Sequence, residues 1–370
     1  MARVDIGGGR TAAAGYELED VSLVPQRRTR DRHEVDLAWR LDAYEYELPL
    51  LGAPLDSVTS PETAGLLADH GAQGVLSLEG LWTRYEEPEE VLDEIARLAP
   101  GPDATRRLQQ LYAQPVDEEL IGRRVEELRA NGGLAAGALT PQKVERYHHA
   151  ALEAGLDLLV VQGVVTTAQT VINPSETPLD LKDFTARYDI PVVVGGVASS
   201  RAALHLMRTG AVGVIVGVGV GSASTTRDAL GVAVPQATAI AEVAAARTRY
   251  LEESGRRVEV IASGGIRTGG AIATAIACGA DAVMLGRALA AAEEAPGRGA
   301  HWGLSAAHHE LPRGAHERVE LLGTLDEVLN GPSHRHDGTL NLVGGLRRAM
   351  AVCGHDDRAA LQRSELSVRV

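Results

Sequence analysis

Short apolar runs closed by glycine or proline recur along the chain, separated by segments of helical period. The first, Leu48 to Pro54, is apolar throughout and closed by Gly52 and Pro54, as a strand buried on both faces should be. Pro61 to His70 then reads as a helix capped by Ser60, and Gly74 to Leu78 as a second strand. Further strands are predicted at Leu134 to Leu139, Leu156 to Val161, Pro191 to Gly196, Val214 to Val216, Val258 to Ala262 and Asp281 to Gly286. Between them lie predicted helices at Gln142 to Ala154, Arg201 to Thr209, Pro235 to Glu253 and Gly269 to Cys278. Tyr85 to Ala130 is charged and helical in period, broken at Pro100-Gly101-Pro102, and reads as surface helices instead of a second domain. Eight strands without polar alternation, each followed by a helix-sized segment, predict an α/β fold of the (β/α)8 barrel type. An open doubly wound sheet is the rival. The even spacing of the last four strands, and the glycine-rich turns after the seventh and eighth, favour the barrel.

Composition narrows the function classes. A chain of 370 residues has room for one large domain or two ordinary ones, and 45% hydrophobic with 23% charged residues is a globular composition. A formal charge of -14 argues against general nucleic-acid binding and against attraction to anionic lipid, so an anionic ligand needs local positive groups. No run approaches the ~18 apolar residues of a membrane span, and the N-terminus lacks a signal-peptide pattern, so a cytoplasmic location without membrane contact is expected. Cys278 and Cys353 belong to no C-x-x-C pair and are too few for a disulfide framework.

The candidate chemistry gathers after the last three strands. Val214-Ile215-Val216 breaks into Gly217, Gly219 and Gly221, followed by Ser222, Ser224, Thr225, Thr226 and Arg227. Alternating glycines let backbone approach a ligand closely, and the hydroxyls with one arginine supply donors to an anion. The next turn, Ser263-Gly264-Gly265-Ile266-Arg267-Thr268-Gly269-Gly270, opens a helix whose free N–H groups and dipole also favour an anion. Gly286-Arg287 adds a permanent cation to the same rim. Three such turns side by side point to phosphate.

These segments resemble the IMP dehydrogenase and GMP reductase superfamily, most closely its short actinobacterial IMP dehydrogenase-related members without the inserted regulatory domain pair. The resemblance rests on Glu19 to Pro25, Ala53 to Thr59, Gly217 to Arg227, Gly231 to Ile240, Gly264 to Arg267, Gly279 to Gly286, Glu293 to Gly297 and Leu342 to Arg347. It implies a single domain over 1–370, with the barrel at 40–297, a flap-like segment at 298–337 and a C-terminal helix and tail at 338–370. It further implies oxidation of IMP to XMP with NAD, a purine nucleoside monophosphate as ligand, and a homotetramer. By resemblance, Ser222, Gly264, Gly265, Gly286 and Arg287 hold the substrate phosphate, Ser263 the ribose, and Gln162 the cofactor. Gly219, Gly221 and Ser224 offer backbone carbonyls to a potassium ion, and Ser224 and Thr226 take the catalytic positions.

The departures are chemical. Ser224 stands where the family has its nucleophilic cysteine, and a hydroxyl stays protonated at neutral pH unless a base adjoins it. Ser263 and Gln162 replace two acidic residues, Arg287 replaces a serine, and the family's Tyr-Arg-Gly-Met-Gly-Ser segment is absent after Gly297. The second reading is therefore a noncatalytic purine-nucleotide-binding or regulatory protein, working in mixed oligomers. A third is another reaction on a different phosphorylated ligand. His301, His308, His309, His316, His334 and His336 in the flap-like segment follow no metal-ligand spacing and read as a solvated loop.

Overall fold

The computed structural model describes residues 3–169, 179–303, 306–308, 311–312 and 315–369. Its centre is a closed parallel barrel. The strands are β1 (Leu50–Gly52), β2 in two pieces (Gln73–Gly74 and Leu76–Ser77), β3 (Ala136–Leu139), β4 (Leu158–Gln162) and β5 (Val192–Val197). β6 (Gly213–Val216), β7 (Glu259–Ser263) and β8 (Ala282–Leu285) complete it. The second strand is interrupted at Val75, and its halves close the ring: Gln73 and Gly74 pair with β1, Leu76 and Ser77 with β3. β8 returns to β1 through Val283 opposite Leu50, so the barrel expected from the sequence is formed and the open sheet is not.

The strands lack polar alternation because both faces are buried in different cores. Leu51, Val75, Ala136, Leu158, Val160, Val193, Ile215, Ile261, Ala282 and Met284 point inward and fill the barrel. Their neighbours Leu50, Leu76, Leu159, Val161, Val192, Val194, Val214, Val216, Val260 and Val283 face the surrounding helices. Period-2 side-chain direction thus splits continuous apolar runs between two cores. The lower mouth is plugged by a hairpin the sequence reading missed, Trp39–Leu41 against Tyr44–Tyr46. Trp39, Leu41 and Tyr46 join the inner core, and the Trp39 indole donates to Leu48 O at 2.7 Å.

Helix starts follow their caps. Pro61–Asp69 begins with a reciprocal capping box of Ser60 and Thr63, and Gly269–Ala277 with Thr268 accepting from Ala271 N at 3.0 Å. The charged stretch resolves into Pro88–Arg97, Pro102–Tyr112 and Glu118–Ala130, the first two separated at the expected Pro-Gly-Pro break. Two further strands, β9 (Ala300–Trp302) and β10 (His316–Arg318), form an antiparallel ribbon over the upper rim. Cys278 packs against the core, where burial pushes its thiol up to about 11, and Cys353 is buried near the C-terminus. Among the described residues no helix is long and apolar enough to cross a membrane.

Candidate functional site

A cavity of about 840 Å³ opens at the carboxyl ends of the barrel strands. Its position follows from topology: strand ends and the loops after them converge there, while the opposite mouth is plugged. One side is built by the turns after β6, β7 and β8. Gly217, at φ 151, brings the first two together, since a Cβ at that position would lie 1.9 Å from Ser263 O. The buried Gln236 reinforces this seam by donating to Val216 O at 3.0 Å and Ser263 O at 3.2 Å. Gly264, at φ 99, lets the β7 turn pass under Val220, where a Cβ would meet Val220 Cγ2 at 2.7 Å.

The expected phosphate residues Ser222, Gly264, Gly265, Gly286 and Arg287 all line this cavity, together with Ser224, Ser263 and Gln162. Thr226 is buried and meets Ser224 through its hydroxyl, with Ser224 Oγ donating to Thr226 Oγ1 at 3.2 Å. Gly219 is committed elsewhere, packed so closely on Val232 and Ala233 that a Cβ would meet Val232 O at 2.6 Å. Arg227, read from the sequence as a donor to an anion, instead pairs with Glu17 at 3.0 Å; Glu17 also accepts from Gln236 N at 2.9 Å. That arginine ties the N-terminal segment to the loop.

The flap-like segment contributes more than its histidine content suggested. His301 on β9 lines the cavity and contacts Ser57 Oγ through Nδ1 at 2.9 Å. Burial is the main cause that lowers its pKa to about 4, opposed by Glu317 and assisted by Arg287 and Arg267, so the ring is neutral at pH 7. His316 on β10 turns away, its Nε2 donating to Ile95 O at 3.2 Å. His309 lies outside the described residues, and no group of three or more His, Cys, Asp or Glu side chains among those described could hold a metal ion.

Glu317, between His316 and Arg318, points to the rim. Its Oε1 accepts from Ser222 Oγ at 2.6 Å and its Oε2 pairs with Arg287. Sequence reasoning had no means of finding it, because 95 residues separate it from Ser222.

The opposite wall was also missed. Tyr112, at the end of the helix read as surface, reaches the cavity and donates its hydroxyl to Asp56, while the Trp302 indole donates to Tyr112 Oη at 2.8 Å. Leu81 N donates to the same Asp56 oxygen at 2.9 Å. Burial raises the Asp56 pKa to about 6, a shift that the hydrogen bonds from Tyr112 and Leu81 limit. This chain fixes the tyrosine and joins β9 to the barrel. Glu79 is raised mainly by burial, accepts from Thr140 N at 2.5 Å, and lies near Lys143 and Arg84 at the far end of the cavity. The signal for this wall lay in the Ala53 to Thr59 segment, which carries Asp56; nothing local marked Tyr112 as its partner.

The model of the IMP dehydrogenase / GMP reductase domain matches residues 15–370. The chain belongs to that family. An uncharacterized oxidoreductase of Mycolicibacterium smegmatis is 49% identical over 99% of both chains. The inosine-5'-monophosphate dehydrogenase of Methanocaldococcus jannaschii is 34% identical, covering 95% of this chain and 92% of its own. The crystal structure of an IMP dehydrogenase/GMP reductase-like protein from Corynebacterium glutamicum superposes with a TM-score of 0.93 at 43% identity, covering 99% of this chain and 98% of the other. Membership explains why the three glycine-rich turns, distant in sequence, meet at one rim. Ser224, Ser263, Gln162 and Arg287, the positions at which the sequence departs from the resembled pattern, all line the cavity.

Proposed function

We propose that the cavity at the barrel mouth binds a purine nucleoside monophosphate beside a nicotinamide cofactor, the arrangement that IMP-to-XMP oxidoreduction with NAD requires. One observation carries this reading: a single cavity of about 840 Å³ joins Ser222, Gly264, Gly265, Gly286 and Arg287 to Ser263 and Gln162. That volume lies in the range of small-molecule and cofactor sites, and its rim offers donors to an anion. Gln162 Oε1 is buried without a hydrogen-bond partner, which suits an acceptor for a hydroxyl on the cofactor. When bound, the nicotinamide would supply the hydride acceptor; the chain would hold the phosphate, shelter the base and orient the ribose near Ser263.

The nucleophile's place is the weak link. Ser224 Oγ donates to Thr226 Oγ1 at 3.2 Å, and a hydroxyl acceptor is no base. The same contact favours the second reading, a protein that binds purine nucleotides without covalent turnover and acts as a regulator, alone or in mixed oligomers. For potassium, the Gly221 carbonyl already accepts from Ser224 N at 3.0 Å, and Gly219 packs beneath the loop. A cation held by Gly219, Gly221 and Ser224 therefore belongs to the proposal only through the backbone pattern. The remaining parts of the proposal are a cytoplasmic homotetramer and one domain over 1–370, with its flap-like segment at 298–337.

Calorimetric titration with IMP, GMP and XMP in potassium buffer tests the binding claim, and its repetition in sodium tests the cation. Binding of a monophosphate is expected; the absence of all three isotherms removes the nucleotide reading. Ser224→Cys then separates the two functional readings. If only the nucleophile is missing, the variant gains NAD reduction with IMP by roughly a hundredfold or more over the wild type. Intact binding with no gain leaves the noncatalytic reading.

A further inference from the structure

Glu317 occupies the place in the rim where the surrounding donors are suited to a phosphate. Its two carboxylate oxygens are divided between the Ser222 hydroxyl, at 2.6 Å, and the Arg287 guanidinium. Two oxygens of a phosphate would be held by the same hydroxyl and the same cation. A phosphate and this carboxylate cannot share the cradle, because like charges at hydrogen-bond range repel strongly in a partly desolvated site. Glu317 and Arg287 keep about a quarter of their side-chain surface exposed, at 26% and 28%, so the pair is open to exchange with solvent ions.

The ribbon that carries Glu317 is held by other residues. Along β10 side chains alternate: His316 donates to Ile95 O at 3.2 Å and Arg318 to Ala96 O at 2.5 Å, both on the helix Pro88–Arg97. Glu317, between them, faces the barrel. The backbone of the ribbon pairs with β9, and Ala315 N donates to Ala223 O at 3.2 Å in the loop after β6. Ribbon position is therefore set by backbone pairing and by the outward side chains, and the inward carboxylate is free to serve the cradle.

We infer that Glu317 is an internal competitor for phosphate: a phosphate group enters the cradle of Ser222 and Arg287 only by exchange with this carboxylate. The inference rests on the proposed nucleotide reading for the identity of the molecule that carries the phosphate, and on the geometry alone for the exchange. It makes residue 317 a specificity determinant, since a phosphorylated ligand must displace Glu317 and an unphosphorylated one need not.

Calorimetric titration of the wild type and Glu317→Gln with inorganic phosphate, IMP and inosine tests it. The variant is expected to bind inorganic phosphate roughly tenfold tighter or more, because a cationic cradle has lost its own anion, and to favour IMP over inosine by a similar added factor. Equal phosphate affinity in the two proteins, or none in either, overturns the competitor role whatever the purine titrations give. A gain for inorganic phosphate without IMP binding upholds the competitor and removes the nucleotide reading instead. If that variant does not fold, Glu317→Ala takes its place: a phosphate affinity roughly tenfold above that of the wild type upholds the exchange, and an equal one overturns it.

Discussion

The two ends of the barrel each pair a carboxylate with arginine, and they do it differently. At the plugged end Asp281 is fully buried, paired with Arg247 at 2.5 Å and Arg257 at 2.6 Å, and it accepts from Val260 N at 2.8 Å and Gln362 Nε2 at 3.0 Å. Every oxygen is satisfied by groups from three separate elements, and no ligand could replace it. At the open end Glu317 has one hydroxyl and one guanidinium, both on the cavity rim. A saturated carboxylate cements strands, whereas one held by a single hydroxyl and a single guanidinium keeps only the partners that the proposed phosphate would share. The number and ownership of the partners, more than the ion pair itself, separate structure from function.

The sharpest break of this comparison is Asp281→Asn. Burial alone would raise the pKa of Asp281, but Arg247 and Arg257 outweigh it and hold the carboxyl below its ordinary value. Removing the charge leaves Arg247 buried beside a neutral amide, and loss of one partner of a buried pair costs about 3 to 5 kcal/mol. Urea denaturation should register that loss, with phosphate affinity at the far mouth unchanged. A loss below about 1 kcal/mol would put Asp281 in the same class as an exposed pair.

A second contrast concerns pH. Glu259, beside Asp281, is raised to about 7, first by burial and then by the Asp281 charge. Its folded-state pKa lies above the ordinary carboxyl value of 4.5, so its contribution is fully present below 4.5 and is lost as pH rises through about 7. His301 at the open end is lowered to about 4 by burial, from an ordinary imidazole value of 6.5. Its contribution is present above 6.5 and lost as pH falls through about 4. The two windows overlap with opposite slopes and offset one another in the wild type. Stability of Glu259→Gln, measured against pH, should therefore fall more steeply on acidification than that of the wild type. His301→Gln should fall more steeply on alkalinisation, each difference on the order of 3 kcal/mol across the window. Parallel curves for all three proteins would remove the contrast.

The barrel was legible because eight apolar runs and their turn glycines are local signals, and local signals decide where strands begin and end. The three glycine-rich turns that meet at the cavity were legible for the same reason. What escaped were partners joined only by the closed fold: Tyr112 with Asp56, Glu17 with Arg227, Glu317 with Ser222 and Arg287. Arg227 sat among hydroxyls and glycines and read as an anion ligand, yet an acidic residue 210 positions earlier claims it. The split of β2 at Val75 is another case: no residue in Gly74 to Leu78 announces that its halves serve opposite neighbours, because ring closure alone demands it. Sequence patterns report faces and turns; which charge meets which is settled by topology.

The smallest expected effect completes the comparison. Glu317→Gln, Arg287→Gln and the double variant form a cycle whose coupling energy measures the rim pair. Each side chain keeps about a quarter of its surface exposed, so solvent screens part of the attraction. The coupling should be about 1 kcal/mol or less by urea denaturation. The same cycle on Asp281 and Arg247 should give a value several times larger, since Asp281 is cut off from solvent and Arg247 nearly so. Should the rim pair couple as strongly as the buried one, Glu317 would be a structural anchor like Asp281, and exchange with phosphate would cost more than a nucleotide could return.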